Sequence, residues 1–169
     1  MKKKPKILIV KSKYNSPEGL YISACNELER RKINFETNVR TIFCNGAFEI
    51  PVTIARNINK FDAAIAIGII IRGETPNFSL ISQAITNGIM ELSILHKKPV
   101  GNAILTCLNF DQAEKREHKG KEAVEAILNV LNPEADQKVS KKDAKLYSFI
   151  RTLKWYLKII KQTLAQELE

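Results

Sequence analysis

The sequence predicts a three-layer α/β fold, a parallel sheet with helices on both faces. Three observations carry this expectation. Residues 61–71 (FDAAIAIGIII) are almost unbroken apolar sequence, interrupted only by Asp62, and so short and β-branched a run suits a strand buried on both faces. Other short apolar runs, at 6–10 and 99–105, alternate with segments of helical periodicity, the pattern of successive strand–helix units. Between them stand turn residues, notably Asn45-Gly46 and Arg72-Gly73.

Taken in order, residues 6–10 (KILIV) form the first buried strand, and KSKYNSPEG at 11–19 is a loop. A helix over 20–31 places Leu20, Ala24 and Leu28 on one face. Residues 33–39 fit either strand or loop, and 40–44 fit a second core strand. Ile50-Pro51 opens the next helix, to about residue 59; proline suits a first turn because its missing N–H would lack a partner there anyway. The strand at 62–71 follows, then a helix over 78–96, a fourth strand over 99–105, a helix over 110–116 capped by Asn109 or Asp111, and a last helix over 121–131. Four parallel strands with helices on both faces make a flavodoxin-like arrangement.

The strand, turn and helix start at 61–77 offer an anion a place to bind, since the first N–H groups of a helix have no internal partner and Gly73 leaves the main chain open to close approach. A plain connection between strand and helix is the alternative.

The chain has 169 residues, 44% hydrophobic and 27% charged, with a net charge of +9. That length makes one domain with an appendage. The charge is not evenly spread. Residues 1–6 carry four lysines, and 138–169 carry eight basic against three acidic side chains, so the stretch between is neutral. A neutral body argues against a nucleic-acid-binding core and leaves the basic ends as weak candidates for a polyanion or partner contact. Cys25, Cys44 and Cys107 are odd in number and widely spaced, as expected of small buried hydrophobes in a reducing compartment. The apolar run near the N-terminus ends at Lys11, too soon for a signal peptide, and no stretch reads as long enough to span a membrane. A cytoplasmic protein is expected.

Asn132-Pro133 closes the α/β domain of residues 1–133. Residues 134–139 read as a linker, and 140–169 as a C-terminal amphipathic helical extension opened by the capping pair Ser140 and Asp143. Apolar positions from Leu146 to Leu164 keep helical spacing, so this helix is expected to lie on an apolar surface of the same protein or a neighbour; an acidic membrane is the less favoured alternative.

Four segments together carry a resemblance: GAFEIP at 46–51, GIIIRGETPNF at 68–78, PVGNAILT at 99–106 and NFDQAEKR at 109–116, with Lys13-Tyr14-Asn15 at a strand end. In order and spacing, over roughly residues 5–131, they resemble lumazine synthase. The resemblance implies condensation of 5-amino-6-(ribitylamino)uracil with 3,4-dihydroxy-2-butanone 4-phosphate, giving 6,7-dimethyl-8-ribityllumazine, water and inorganic phosphate in riboflavin synthesis. It implies no metal and no organic cofactor, and homo-oligomers built from pentamers, with sites shared between neighbouring subunits.

By position, the resemblance implies that Tyr14 stacks on the pyrimidine, that Gly46, Ala47 and Glu49 line the ribityl chain, and that Ile70 and Ile71 present backbone groups to the uracil edge. Gly73, Glu74 and Thr75 would cradle the phosphate and Arg116 would clamp it, a task suited to its planar fork. Lys119 matches a lysine near the site. Each residue also has an ordinary reading: a loop aromatic, a first-turn carboxylate, core isoleucines, an exposed helix arginine.

The departures concern chemistry. Asn77 stands where the family carries a proton-transferring His, and an amide does not titrate near neutral pH. Ser79 replaces a usual acidic residue, Asn102 an aromatic one, and the loop after Arg116 is shorter. His118 is the imidazole nearest Arg116 in sequence, though a solvated loop histidine is the favoured reading of it. A catalytically impaired homologue that binds a lumazine or flavin, or serves as an oligomeric scaffold, is therefore the alternative to a working enzyme.

Overall fold

The computed structural model describes residues 4–133 and the single position 153. The linker expected over 134–139, and the helical extension expected over 140–169 apart from that position, lie outside the described residues. The chain divides into two units, Met1–Leu131 and Asn132–Glu169, and the first carries the sheet.

Four strands, β1 (Ile7–Ser12), β2 (Val39–Cys44), β3 (Ala63–Ile71) and β4 (Val100–Cys107), pair in parallel in the order β2-β1-β3-β4. The helices are α1 (Glu18–Arg30), α2 (Phe35–Asn38), α3 (Ile50–Asn57), α4 (Asn77–His96), α5 (Phe110–Glu114) and α6 (Lys119–Leu131), with 3-10 turns at Ala47–Glu49 and Ile58–Lys60. The segment left as strand or loop at 33–39 contains the short helix α2, because Asn34 accepts a hydrogen bond from the Thr37 amide at 3.0 Å and caps it. β1 runs two residues past the expected end, taking Lys11 and Ser12 into the buried sheet.

Strand alternation sorts the core into two clusters. Ile7, Ile9, Ile65, Ile67, Ala103 and Leu105 face α1 and α6, packing with Leu20, Leu28, Val124 and Ile127. Leu8, Val10, Ala64, Ala66 and Ile70 face α3 and α4, packing with Ile50, Ile54, Ile85 and Ile89. Two glycines set the depth of the first layer. A Cβ on Gly120 would collide with the Leu20 carbonyl oxygen, and one on Gly101 would lie 2.6 Å from the Ala123 carbonyl oxygen. Only glycine lets α6 seat this closely on α1 and β4.

The opposite layer is less fully covered. Helix α4 buries Ile85, Ile89 and Leu92 against the sheet, yet Leu80, Met90, Ile94 and Leu95 stand exposed. The helix is 20 residues long, and an 18-residue window of it has a mean hydropathy of 1.2, long and apolar enough to cross a membrane by length and composition. This corrects the expectation that no stretch is long enough, which weighed short apolar runs and not the whole helix. One side of α4 nevertheless packs into the core of the α/β domain.

Candidate active site

In a sheet ordered β2-β1-β3-β4 the connections leave in opposite directions from β1 and β3. The crevice beyond their carboxyl ends is where open α/β sheets bind ligands. β1 pairs with β3 only as far as Lys11 and Ile67, so the end of β3 projects beyond its neighbour on that side. A cleft of about 320 Å³ opens there, lined by Tyr14, Asn15, Gly46, Ala47, Phe48, Glu49, Ile70, Ile71, Gly73, Thr75, Asn77 and neighbours.

The loop after β1 supplies an aromatic wall. Lys13 and Tyr14 extend the strand by donating their amides to the Cys44 and Asn45 carbonyls, both at 2.9 Å. The chain then turns through Asn15 and Ser16, both left-handed at φ 60° and 44°. The Asn15 side chain donates from Nδ2 to the Ile69 carbonyl at 3.0 Å, tying the loop to β3 across the crevice. Tyr14 stands 71% exposed, its ring free to cover a flat ligand.

The loop after β2 supplies the opposite wall. Glu49 accepts a hydrogen bond from the Gly46 amide at 2.7 Å, and a Cβ on Gly46 would approach that carboxylate to 3.1 Å. One carboxylate oxygen thus closes the turn and leaves the other for a ligand hydroxyl. Cys44 beneath this wall donates its thiol to the Gly46 carbonyl at 3.3 Å. Burial chiefly, with the Glu49 charge adding, pushes that thiol above its ordinary pKa, so it stays protonated and unreactive.

β3 supplies a main-chain edge. The Arg72 amide donates to the Cys107 carbonyl, which turns even-numbered backbone groups toward β4, whereas the Ile69 carbonyl faces the crevice. By that alternation Ile71 presents its backbone to the cleft. Ile70 does not: its backbone serves the β4 ladder and its side chain is buried in the core. Of the two isoleucines expected to offer backbone groups, strand alternation turns Ile71 toward the crevice and Ile70 toward β4.

Gly73, Glu74 and Thr75 form the turn into α4, all exposed, and Gly73 and Thr75 line the cleft while Glu74 is not among its lining residues. A Cβ on Gly73 would meet nothing within 4 Å, so the chain's own packing does not require glycine there. Helix α4 begins at Asn77 with no side-chain hydrogen bond to its first turn; the Ser79 and Leu80 amides donate to the Pro76 carbonyl, and the N–H groups ahead of them are the ones a helix start can offer an anion. Asn77 lies in the cleft at the helix start.

Three expected site residues are elsewhere. Asn102, Arg116 and Lys119 line a separate cleft of about 540 Å³ along the outer edge of β4. Arg116 donates from Nη1 to the Gln112 carbonyl at 2.8 Å and is otherwise exposed. Lys119 pairs with Glu122, and Asn102 accepts from the Ile104 amide at 3.0 Å. Within one chain, Arg116 and Gly73 do not face a common ligand. His118 lies in a third cleft with Gly19, Ser23 and Arg30, 3.5 Å from Glu122, and within one chain supplies no imidazole to the Asn77 cleft.

Phe48, Phe78 and Ile81 also wall the cleft and were missed. Their sequence signal, ordinary helix and turn hydrophobes, is shared with any core residue. Among the described residues no group of three or more His, Cys, Asp and Glu side chains comes together to hold a metal ion.

A parallel α/β domain with an aromatic-walled crevice and a helix start at its switch point defines a small-molecule-binding flavodoxin-like protein. The comparisons narrow this. The family profile for 6,7-dimethyl-8-ribityllumazine synthase matches residues 4–134. The chain is 33% identical over 137 residues to the 6,7-dimethyl-8-ribityllumazine synthase of Campylobacter curvus, covering 76% of this chain and 88% of that protein. It is 39% identical over 118 residues to the protein of the same name from Pseudarthrobacter chlorophenolicus, covering 66% and 71%, and 37% identical over 132 residues to that of Paraburkholderia phymatum, covering 75% and 76%. The chain belongs to the 6,7-dimethyl-8-ribityllumazine synthase family.

Proposed function

We propose that this protein condenses 5-amino-6-(ribitylamino)uracil with 3,4-dihydroxy-2-butanone 4-phosphate to form 6,7-dimethyl-8-ribityllumazine in riboflavin biosynthesis. One observation supports this beyond family membership: the switch-point cleft gathers an exposed aromatic ring, a hydroxyl-binding wall and a helix start within one crevice.

In this reading Tyr14 stacks on the pyrimidine, whose edge meets the Ile71 backbone. The free oxygen of Glu49 and the main chain of Gly46 and Ala47 take the ribityl hydroxyls. The Gly73–Thr75 turn and the start of α4 receive the phosphate. The substrate amine adds to the ketone, imine formation releases water, phosphate leaves with its electron pair, and ring closure releases a second water. Asn77, beside the phosphate turn, orients the reacting groups through its amide and transfers no proton. Catalysis rests mainly on proximity and on stabilising the departing phosphate.

The division of the site residues between two clefts supports a homo-oligomer. The β4 edge of one subunit, carrying Asn102, Arg116 and Lys119, closes the Gly73 cleft of the next, and a pentamer provides such a repeated contact. The exposed apolar side chains of α4 favour burial against a neighbouring copy as well. The unpaired thiols Cys25, Cys44 and Cys107 accord with a cytoplasmic location.

The test is to mix both substrates with the protein and follow lumazine absorbance. Product formation above the uncatalysed rate is expected. Tight lumazine binding without product would favour the impaired, ligand-binding homologue.

A further inference from the structure

The cleft's aromatic wall stands on a loop whose base holds a buried charge that the reaction does not use. Lys11, on β1, is only 4% exposed. Its ammonium lies 5.0 Å from the Tyr21 ring centroid and 5.6 Å from that of Phe43, and 2.5 Å from Glu18 Oε1. Glu18 is the first residue of α1. The pair therefore joins the strand before the loop to the helix after it, and the intervening residues include Tyr14 and the left-handed Asn15 and Ser16.

Such a loop does not hold itself. A non-glycine residue in the left-handed region is disfavoured by its Cβ, and strained positions persist only where the surroundings over-determine them. Asn15 ties the middle of the loop to β3. The ends are set by Lys11 and Glu18. The two aromatic rings favour a cation between them and exclude water from one side of the ion pair, while Glu18, with its side chain 63% exposed, keeps partial hydration.

We propose that Lys11 is a positioning residue: its ion pair with Glu18 closes the base of the loop and sets Tyr14 at stacking height over the crevice. This rests on the reading that Tyr14 stacks on the pyrimidine. The consequence is selective, because the phosphate turn at 73–75 belongs to β3 and α4 and makes no use of the pair.

Lys11→Met keeps the apolar stem, removes the charge and leaves a solvated Glu18. The dissociation constant of 5-amino-6-(ribitylamino)uracil is expected to rise about tenfold, with that of inorganic phosphate unchanged within twofold. Glu18→Gln should act in the same direction without emptying a buried site, and so serves if Lys11→Met does not fold. The double variant should be no weaker than the poorer single one, since both break one interaction. Parent-like pyrimidine affinity in both single variants, or equal weakening of phosphate, overturns the proposal. Tyr14→Ala separates the two claims. If it too binds pyrimidine like the parent, the stacking reading fails and the positioning role with it; if it alone is impaired, only the role of Lys11 fails.

Discussion

Asn15 reaches across the gap between two strands that no longer pair, its Nδ2 donating to the Ile69 carbonyl at 3.0 Å. The same residue turns the chain at φ 60°, a conformation asparagine tolerates better than most residues. One side chain thus satisfies a carbonyl left open by the end of the β1 ladder and fixes where the Tyr14 loop lies. Asn15→Ala should lose both contributions, lowering stability by about 1–3 kcal/mol. Asn15→Gly should retain the turn and lose only the hydrogen bond. Denaturant titration of the three proteins checks the order; an alanine variant as stable as the parent would contradict it.

Arg116 and Gly73 open onto different clefts of one chain, and in the proposed oligomer the arginine serves a neighbour's ligand. Arg116→Ala should weaken phosphate binding by about 1.5–3 kcal/mol, tenfold or more, with little change for the pyrimidine. Gly73→Val should block the turn without disturbing the fold, because a Cβ there meets nothing. Refolding the two impaired chains together in equal amounts should then restore parent-like phosphate binding at about a quarter of the sites, those pairing an intact turn with an intact arginine. A mixture with no such recovery would count against a shared site.

Asn77 occupies the helix start in the cleft but does not titrate. Asn77→His should raise the turnover number, within the 10²–10⁴-fold that acid–base catalysis typically spans. It should also add a titration step near the ordinary imidazole pKa of about 6.5 that the parent lacks. A pH–rate profile of both proteins under saturating substrates decides. No gain would mean that the pocket no longer orients substrate for a base at this position.

Acid stability should depend on Glu27. This carboxylate, buried on α1, accepts hydrogen bonds from Arg30 and Arg31, which hold its pKa at about 2 against an ordinary 4.5. A lowered folded-state pKa contributes stability that is present above the unfolded value and disappears as protons bind. Glu27 should therefore stabilise the fold fully above pH 4.5 and lose its contribution as pH falls toward 2. Glu27→Gln should lower stability at neutral pH and flatten that acid limb in thermal melts. An unchanged slope would assign the acid dependence elsewhere.

Two helices end on lysine in the left-handed conformation glycine prefers. Lys32 (φ 57°) follows α1 and Lys97 (φ 51°) follows α4. The following amides, of Ile33 and Lys98, donate back to Leu28 and Ser93, the Schellman arrangement. Lys32→Gly and Lys97→Gly should each stabilise by about 0.5–1 kcal/mol, raising the thermal midpoint by a few degrees. A lower midpoint would mean the lysine stems contribute packing that outweighs the backbone strain.

Residues 61–71 announced a strand buried on both faces because only such a strand dispenses with polar alternation, and the order of strands and helices, the short helix at Phe35–Asn38 apart, followed from hydrophobic period and turn residues. The Gly73 turn and the helix start at 77 were legible for the same local reason, as were the four motif segments that carry the family. What stayed hidden depends on which side of a strand, or of a subunit, a group faces. That Ile71 and not Ile70 turns its backbone to the crevice requires the register of β3 against β1 and β4. That Lys11 is buried beside Tyr21 and Phe43 requires β2 and α1 in place, since a lysine at a strand end reads as exposed from sequence. The separation of Arg116 from Gly73 lay deepest, because motif spacing records order along the chain, and only folding reveals that the two residues open onto different clefts.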